Sequence, residues 1–226
     1  MDFVLLDDIK FKADLNQLFK TLRVDESGED AQAIKRMVDE AEAIARPKVL
    51  YKVAYIESKY PDSVIIEGIK LTSRVMSVNL KDVHRVFPYV ATCGTELENW
   101  STSISDILEN FWADAIKVQA LQQAMKCFDQ HVEQNLSPGK TSNMNPGSLK
   151  DWPISEQKSL FQILGDVKGL TGVSLTESFL MTPIKSVSGI KFPTETGYEN
   201  CKLCPRENCI GRRAPYDKDL YNKNYT

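Results

Sequence analysis

The run SDILENFWADAIKVQALQQAMKCFDQHVEQN, Ser105–Asn135, decides the architecture. Its apolar positions Leu108, Phe111, Ala115, Val118, Leu121, Met125, Phe128 and Val132 recur every three or four residues, the period of a helix with one apolar stripe. At ~1.5 Å per residue such a helix spans on the order of 45 Å, enough to be the spine of a domain. Upstream, residues 11–22 and 29–46 read as helices, the second rich in strong helix formers and closed by Pro47. The segment VLYKVAYI (49–56) is β-branched and aromatic, which predicts a strand, followed by a Pro61-Asp62 turn. Further strands are expected at 63–68, 74–78 and 86–94. Beyond the spine, residues 136–153 hold three Pro and two Gly and read as turns. Ser155 is placed to cap a short helix over 155–164, with Gly165 after it, and two last strands are expected within 178–192. The class is α+β, one long helix and shorter helices packed on an antiparallel sheet. The apolar pattern stops past Pro193, which divides the chain into a body, 1–193, and a Cys-bearing tail, 194–226.

A chain of 226 residues with 42% apolar residues buries roughly 70–75% of its unfolded surface and needs no metal or disulfide for its main core. The net charge of −3 argues against a general nucleic-acid binder. Residues 201–226 carry six Lys/Arg against three Asp/Glu, a balance of +3, which leaves −6 for residues 1–200. No apolar run approaches the ~20 residues of a membrane span, and Met1–Asp8 is too acidic and too short in apolar residues for a secretory signal. A soluble, cytoplasmic protein with no membrane or nucleic-acid partner is expected. Ser-His-Asp, HExxH, GxxxxGK[ST] and GxGxxG arrangements are missing, so the common hydrolase and nucleotide-binding readings lack support. His84 and His131, the two histidines, read as surface or structural residues, and no catalytic residue is assigned.

The block Asn145–Phe192 is more specific. It runs NPGSLKDWPISEQKSLFQIL and then GVSLTESFLMTPIKSVSGIKF. The Pro146-Gly147 turn, the short helix, Leu175-Thr176-Glu177-Ser178 and Ser186-Val187-Ser188-Gly189 follow one another as in a known family. The block resembles the activation domain of cobalamin-dependent methionine synthase over about 48 residues, here as a stand-alone protein; Ala91-Thr92-Cys93-Gly94 before a helix adds a weaker match. The resemblance implies an activation-domain fold and a role in repair. Members of that family bind S-adenosylmethionine and cap a corrinoid held by another domain. When its cobalt has been oxidised to cob(II)alamin, an electron donor reduces it and S-adenosylmethionine remethylates it. The cofactor carries the chemistry and the protein binds and orients. The implied partner is a corrinoid-binding protein or methyltransferase subunit with its cobalamin, in methionine biosynthesis, alongside a small redox protein.

The resemblance also implies the ligand positions Asn143, Pro146, Gly147, Ser148 and Tyr198. The family's signature has Arg three residues before the Pro-Gly pair and Tyr directly after it, where this chain has Asn143 and Ser148. An Arg grips a carboxylate bidentately, and its loss costs ~1.5–3 kcal/mol, one to two decades of affinity. Asn143→Arg with Ser148→Tyr is therefore expected to tighten binding. The chain has no Asp-x-His-x-x-Gly to supply a lower cobalt ligand, so a separate corrinoid protein is expected.

In the tail, CKLCPRENCIGRR (201–213) spaces Cys201, Cys204 and Cys209 as C-x2-C-x4-C. Two thiolates separated by two residues turn back onto one metal, and the third reaches it after a short loop. Arg206, Arg212 and Arg213 stabilise thiolates or an anionic cluster. An iron–sulfur cluster or zinc is expected, the fourth ligand coming from Cys93, Cys127, a His, a partner or an exogenous group; free thiols or a redox pair are the alternative. Two other functions stay open: a non-catalytic corrinoid-protein accessory without S-adenosylmethionine, and an iron–sulfur electron carrier.

Overall fold

The structure, a computed structural model, describes residues 3–195, 197–209 and 212–225. It begins with strand β1 (Phe3–Leu6) and helices α1 (Leu15–Leu22) and α2 (Glu29–Ile44). α1 starts later than expected because Asp14 caps it, its carboxylate accepting the Gln17 N–H at 2.9 Å. There follow β2 (Lys48–Lys52), β3 (Ala54–Tyr60), β4 (Ser63–Ile66), β5 (Ile69–Thr72), α3 (Arg74–Asn79) and β6 (Arg85–Thr92). β2 and β3 lie along one edge of β6 in a single antiparallel register, Lys48 opposite Thr92 and Tyr55 opposite Arg85, so the expected strand 49–56 is one continuous edge. The β4–β5 turn places Glu67 and Gly68 at φ +52° and +72°, the left-handed pair of a type I′ hairpin.

Residues 74–78, expected as a strand, are instead the helix α3. Two caps override the β-branched composition. Ser73 Oγ accepts the Met76 N–H at 2.9 Å. From 76–78 residues away, Asp151 accepts the Arg74 and Val75 N–H groups at 3.3 and 3.0 Å and the Ser73 hydroxyl. The amides that lack partners at a helix start are thus satisfied. Asp151→Ala is expected to cost about 1–2 kcal/mol in urea unfolding, the usual worth of such a cap. An unchanged midpoint would assign α3 to packing alone.

α4 (Thr95–Thr102) leads to the spine, α5 (Ile107–Leu136), whose Asp106 cap accepts the Leu108 and Glu109 N–H groups, both at 2.9 Å. Its buried face differs from the expected stripe. Trp112, Ala113, Ile116, Lys117, Ala120, Ala124, Phe128 and Val132 are buried, whereas Leu108 and Phe111 are 49% and 59% exposed. The true stripe contains a lysine and small alanines, which hid it from the apolar period.

Within the stretch read as turns lies another strand, β7 (Thr141–Met144). A 3-10 turn, Ile154–Glu156, runs into α6 (Gln157–Leu164) without a side-chain cap, so Ser155 does not play the expected role. Then come α7 (Val167–Thr171), β8 (Ser174–Leu175), β9 (Met181–Thr182), β10 (Ser186–Pro193), α8 (Asn200–Leu203) and α9 (Leu220–Asn224). Of the first of the two last expected strands only Met181–Thr182 is extended, paired with β8. The sheet runs β1-β2-β6-β3-β4-β5, with β10 on the other edge of β6 and β7 outside β10, every pair antiparallel. β6 is the central strand and is covered on both faces, which is why Val86–Thr92 is buried throughout.

The C-terminal half of α5 crosses one face, Phe128 lying 5.2 Å from the Tyr51 ring and 4.9 Å from Tyr89. α3, α6 and α7 cover the other face over Leu50, Val90, Ile190 and Phe192. α1, α2 and α4 gather on the N-terminal half of α5. Residues beyond Pro193 join the core too: Tyr198 and Tyr225 are buried with the second face, and Leu203 and Leu220 pack against it. Isolated aromatics in irregular backbone have no period to read. No described helix is long and apolar enough to cross a membrane.

Candidate functional site

β7 brings Asn143 opposite Lys191 of β10 and then leaves the sheet through Asn145-Pro146-Gly147-Ser148. Gly147, at φ +82°, donates its N–H to Trp152 O at 2.8 Å, and Ser148 donates to Asn145 O at 3.1 Å, closing the turn. Asn145 is the hub. Its amide donates to Ser188 O at 2.8 Å and Tyr89 Oη at 3.0 Å, and Asn200 donates to its Oδ1 at 3.4 Å. Tyr198 Oη in turn donates to Asn200 Oδ1 at 2.6 Å, while the Tyr198 N–H donates to Ser142 Oγ at 2.8 Å. Burial pushes the Tyr89 phenol up to about 12, against the amide donated by Asn145, and pushes Tyr198 up as well. Both hydroxyls therefore stay protonated near neutral pH.

The turn divides two clefts. One, of about 530 Å³, lies between α5 and the β7–β10 edge and is lined by Tyr89, Met125, Asp129, Asn143, Asn145 and Arg213, among others. The other, of about 800 Å³, is mostly apolar and holds Gly147, Ser148, Leu203, Cys204, Arg206 and Tyr216. The expected ligand residues are thus separated: Asn143 faces the first cleft, Gly147 and Ser148 the second, and Pro146 and Tyr198 line neither. Asn143 Oδ1 is buried without a hydrogen-bond partner. A buried acceptor left unpaired costs about 1–3 kcal/mol, so this atom favours a donor brought in by a ligand. Beside it, Lys191 is buried with its Nζ 3.0 Å from Asp129 Oδ1 and 5.6 Å from the centre of the Phe128 ring. Asn145, Tyr89 and Lys191 escaped the sequence reading, since a polar residue in a turn and polar tips on buried strands carry no local signal.

The cysteine segment is organised around Arg212. Its guanidinium donates to Cys201 O, Cys204 O and Ala214 O, each at 3.1 Å, and to Arg206 O. Among the described residues no group of three or more His, Cys, Asp or Glu side chains is arranged to hold a metal ion. Cys209 is exposed, Cys127 is half-buried on α5, and Cys93 is buried in the α2–α4–α5 cluster with its thiol pushed up to about 12. Cys201, Cys204 and Cys209 are thus not gathered into one group among the described residues. Cys201 Sγ accepts the Arg213 N–H at 3.4 Å, and that bond, with a second from Ala214, holds its thiol below the ordinary range. Its alkylation by iodoacetamide is expected to gain its thiolate rate at lower pH than a model thiol, with Cys93 unreactive until unfolding; a Cys201 profile matching the model thiol would contradict this geometry.

The family model described as vitamin B12 dependent methionine synthase, activation domain, matches residues 147–209. The crystal structure of the MetH reactivation domain bound to AdoHcy superposes with a TM-score of 0.63, at 15% identity, over 88% of this chain and 81% of that one. The resemblance read from Asn145–Phe192 is thus borne out, and the chain has the α+β fold of a MetH reactivation domain. No curated protein matches the sequence significantly.

Proposed function

We propose that this chain serves in reactivation of a corrinoid-dependent methyltransferase, binding S-adenosylmethionine and presenting it to cobalamin held by a separate corrinoid protein. The observation that carries this reading is the family match over 147–209, the segment that builds the Gly147 turn and β10 beside the Asn143 cleft. The neighbour's AdoHcy, the demethylated form of S-adenosylmethionine, supports the ligand class. The unpaired Asn143 Oδ1 fits a ligand carrying an N–H or O–H donor. S-Adenosylmethionine supplies an electrophilic methyl group; the chain's part is to hold and orient it. A small redox protein as electron source, drawn to the basic tail, and a cytoplasmic setting complete the reading. The accessory function without S-adenosylmethionine is the second reading, favoured by Asn143 where the family has Arg.

Calorimetric titration tests the two. Saturable one-to-one binding of S-adenosylmethionine, with no tight binding of free cobalamin, is expected. Absence of binding up to ~1 mM, about −4 kcal/mol, would leave only the accessory function. Because Ser148 faces the other cleft, Asn143→Arg alone is expected to account for whatever the Asn143→Arg, Ser148→Tyr pair changes.

A further inference from the structure

The 530 Å³ cleft carries both signs of charge against an apolar floor. Met125 and Val187 supply apolar contact, and Asp129 is already tied to Lys191. The Asn145 amide is spent on Tyr89 and Ser188. Besides the α5 side chains Gln122, Lys126 and Gln130, two groups in the cleft retain capacity. Asn143 Oδ1 is a buried acceptor without a partner. Arg213, on the tail, is 57% exposed and makes a loose 3.5 Å ion pair with Glu199 from Nε. The Arg213 side chain also bonds Cys201, but a guanidinium has five N–H donors in a planar fork, which leaves donors for a planar anion. A cation and an unpaired acceptor lining one cleft suit a ligand with a carboxylate and a neighbouring ammonium on an apolar stem, that is, an amino-acid end.

We infer that Arg213 grips the carboxylate of the ligand in the Asn143 cleft, supplying from the C-terminal segment the cation that β7 lacks. Asn143 Oδ1 then accepts from the ammonium. On the reading proposed above the ligand is S-adenosylmethionine, and the assignment of Arg213 depends on that reading. The arrangement couples ligand to tail, because the Arg213 N–H also donates to Cys201 Sγ, and Arg212 next to it clamps the cysteine segment.

A double comparison tests it, with the whole chain and Arg213→Gln each titrated with S-adenosylmethionine and with its decarboxylated analogue. The whole chain is expected to bind the analogue about ten- to a hundred-fold more weakly, the worth of a charge-assisted contact. Arg213→Gln is expected to lose the same factor for S-adenosylmethionine and almost nothing for the analogue. Equal weakening of both ligands would make Arg213 a structural residue and overturn the inference, as would undiminished S-adenosylmethionine binding by the variant. Failure of the whole chain to bind either ligand would instead remove the S-adenosylmethionine reading, and the role of Arg213 with it.

Discussion

Gly189→Ala is expected to destabilise the chain by about 2–5 kcal/mol and to distort the Asn143 cleft. Gly189 belongs to β10, and a Cβ built there stands 2.5 Å from Asn145 Nδ2, 2.5 Å from Met144 O and 3.0 Å from Tyr89 Oη. Two of these belong to the hub that joins β6, β10 and the Gly147 turn, and the third is backbone, which cannot swing aside. Overpacking costs typically 1–3 kcal/mol, and each hydrogen bond lost from Asn145 adds about 1 kcal/mol. The glycine of Ser186-Val187-Ser188-Gly189 is therefore there to admit the Asn145 side chain between strands. Urea unfolding of the alanine variant measures this, the midpoint falling with the slope unchanged. A shift below about 0.5 kcal/mol would mean that the turn relocates without cost.

Lys117→Ala is expected to be comparably damaging, at about 3–5 kcal/mol. Lys117 lies on α5 with its side chain 7% exposed; its Nζ is 2.9 Å from Glu98 Oε2 and donates to Ser101 Oγ at 2.7 Å. Glu98 Oε1 accepts the Ile184 N–H at 3.3 Å, so the pair joins α4 and α5 to the segment before β10. Removing the lysine leaves a carboxylate in a cavity with no cation. The double change Glu98→Gln, Lys117→Met removes both charges, and it is expected to recover much of that loss, since a buried pair often gains little over an uncharged equivalent. Additive losses in the double variant would show that packing, not charge pairing, makes the site sensitive.

The same lysine explains what could be read from sequence. The existence of α5 was legible because thirty residues of helix period leave no other reading, yet its buried face was not. The apolar stripe through Leu108 and Phe111 was conspicuous, and the real one passes through Lys117, whose burial depends on Glu98 and Ser101 on another helix. α3 failed for a related reason: its caps include Asp151, which no local window around Arg74 contains. β7 lay hidden in turn-forming residues because its partner β10 comes some fifty positions later. The Pro146-Gly147 and Ser188-Gly189 positions were visible as motif, and their physical purpose became clear only with Asn145 placed between them. Arg213 had no signal beyond being basic, since the cleft it lines is built by residues distant in sequence.

The role proposed for this chain is to present S-adenosylmethionine to a corrinoid held elsewhere. The direct measurement uses a separately purified corrinoid protein in its cob(II)alamin form, a low-potential chemical reductant and S-adenosylmethionine labelled in its methyl group. Label is expected on the corrinoid protein's cofactor when this chain is present, and transfer is expected to fall sharply when the chain is left out. Transfer at the same rate without the chain would contradict the account.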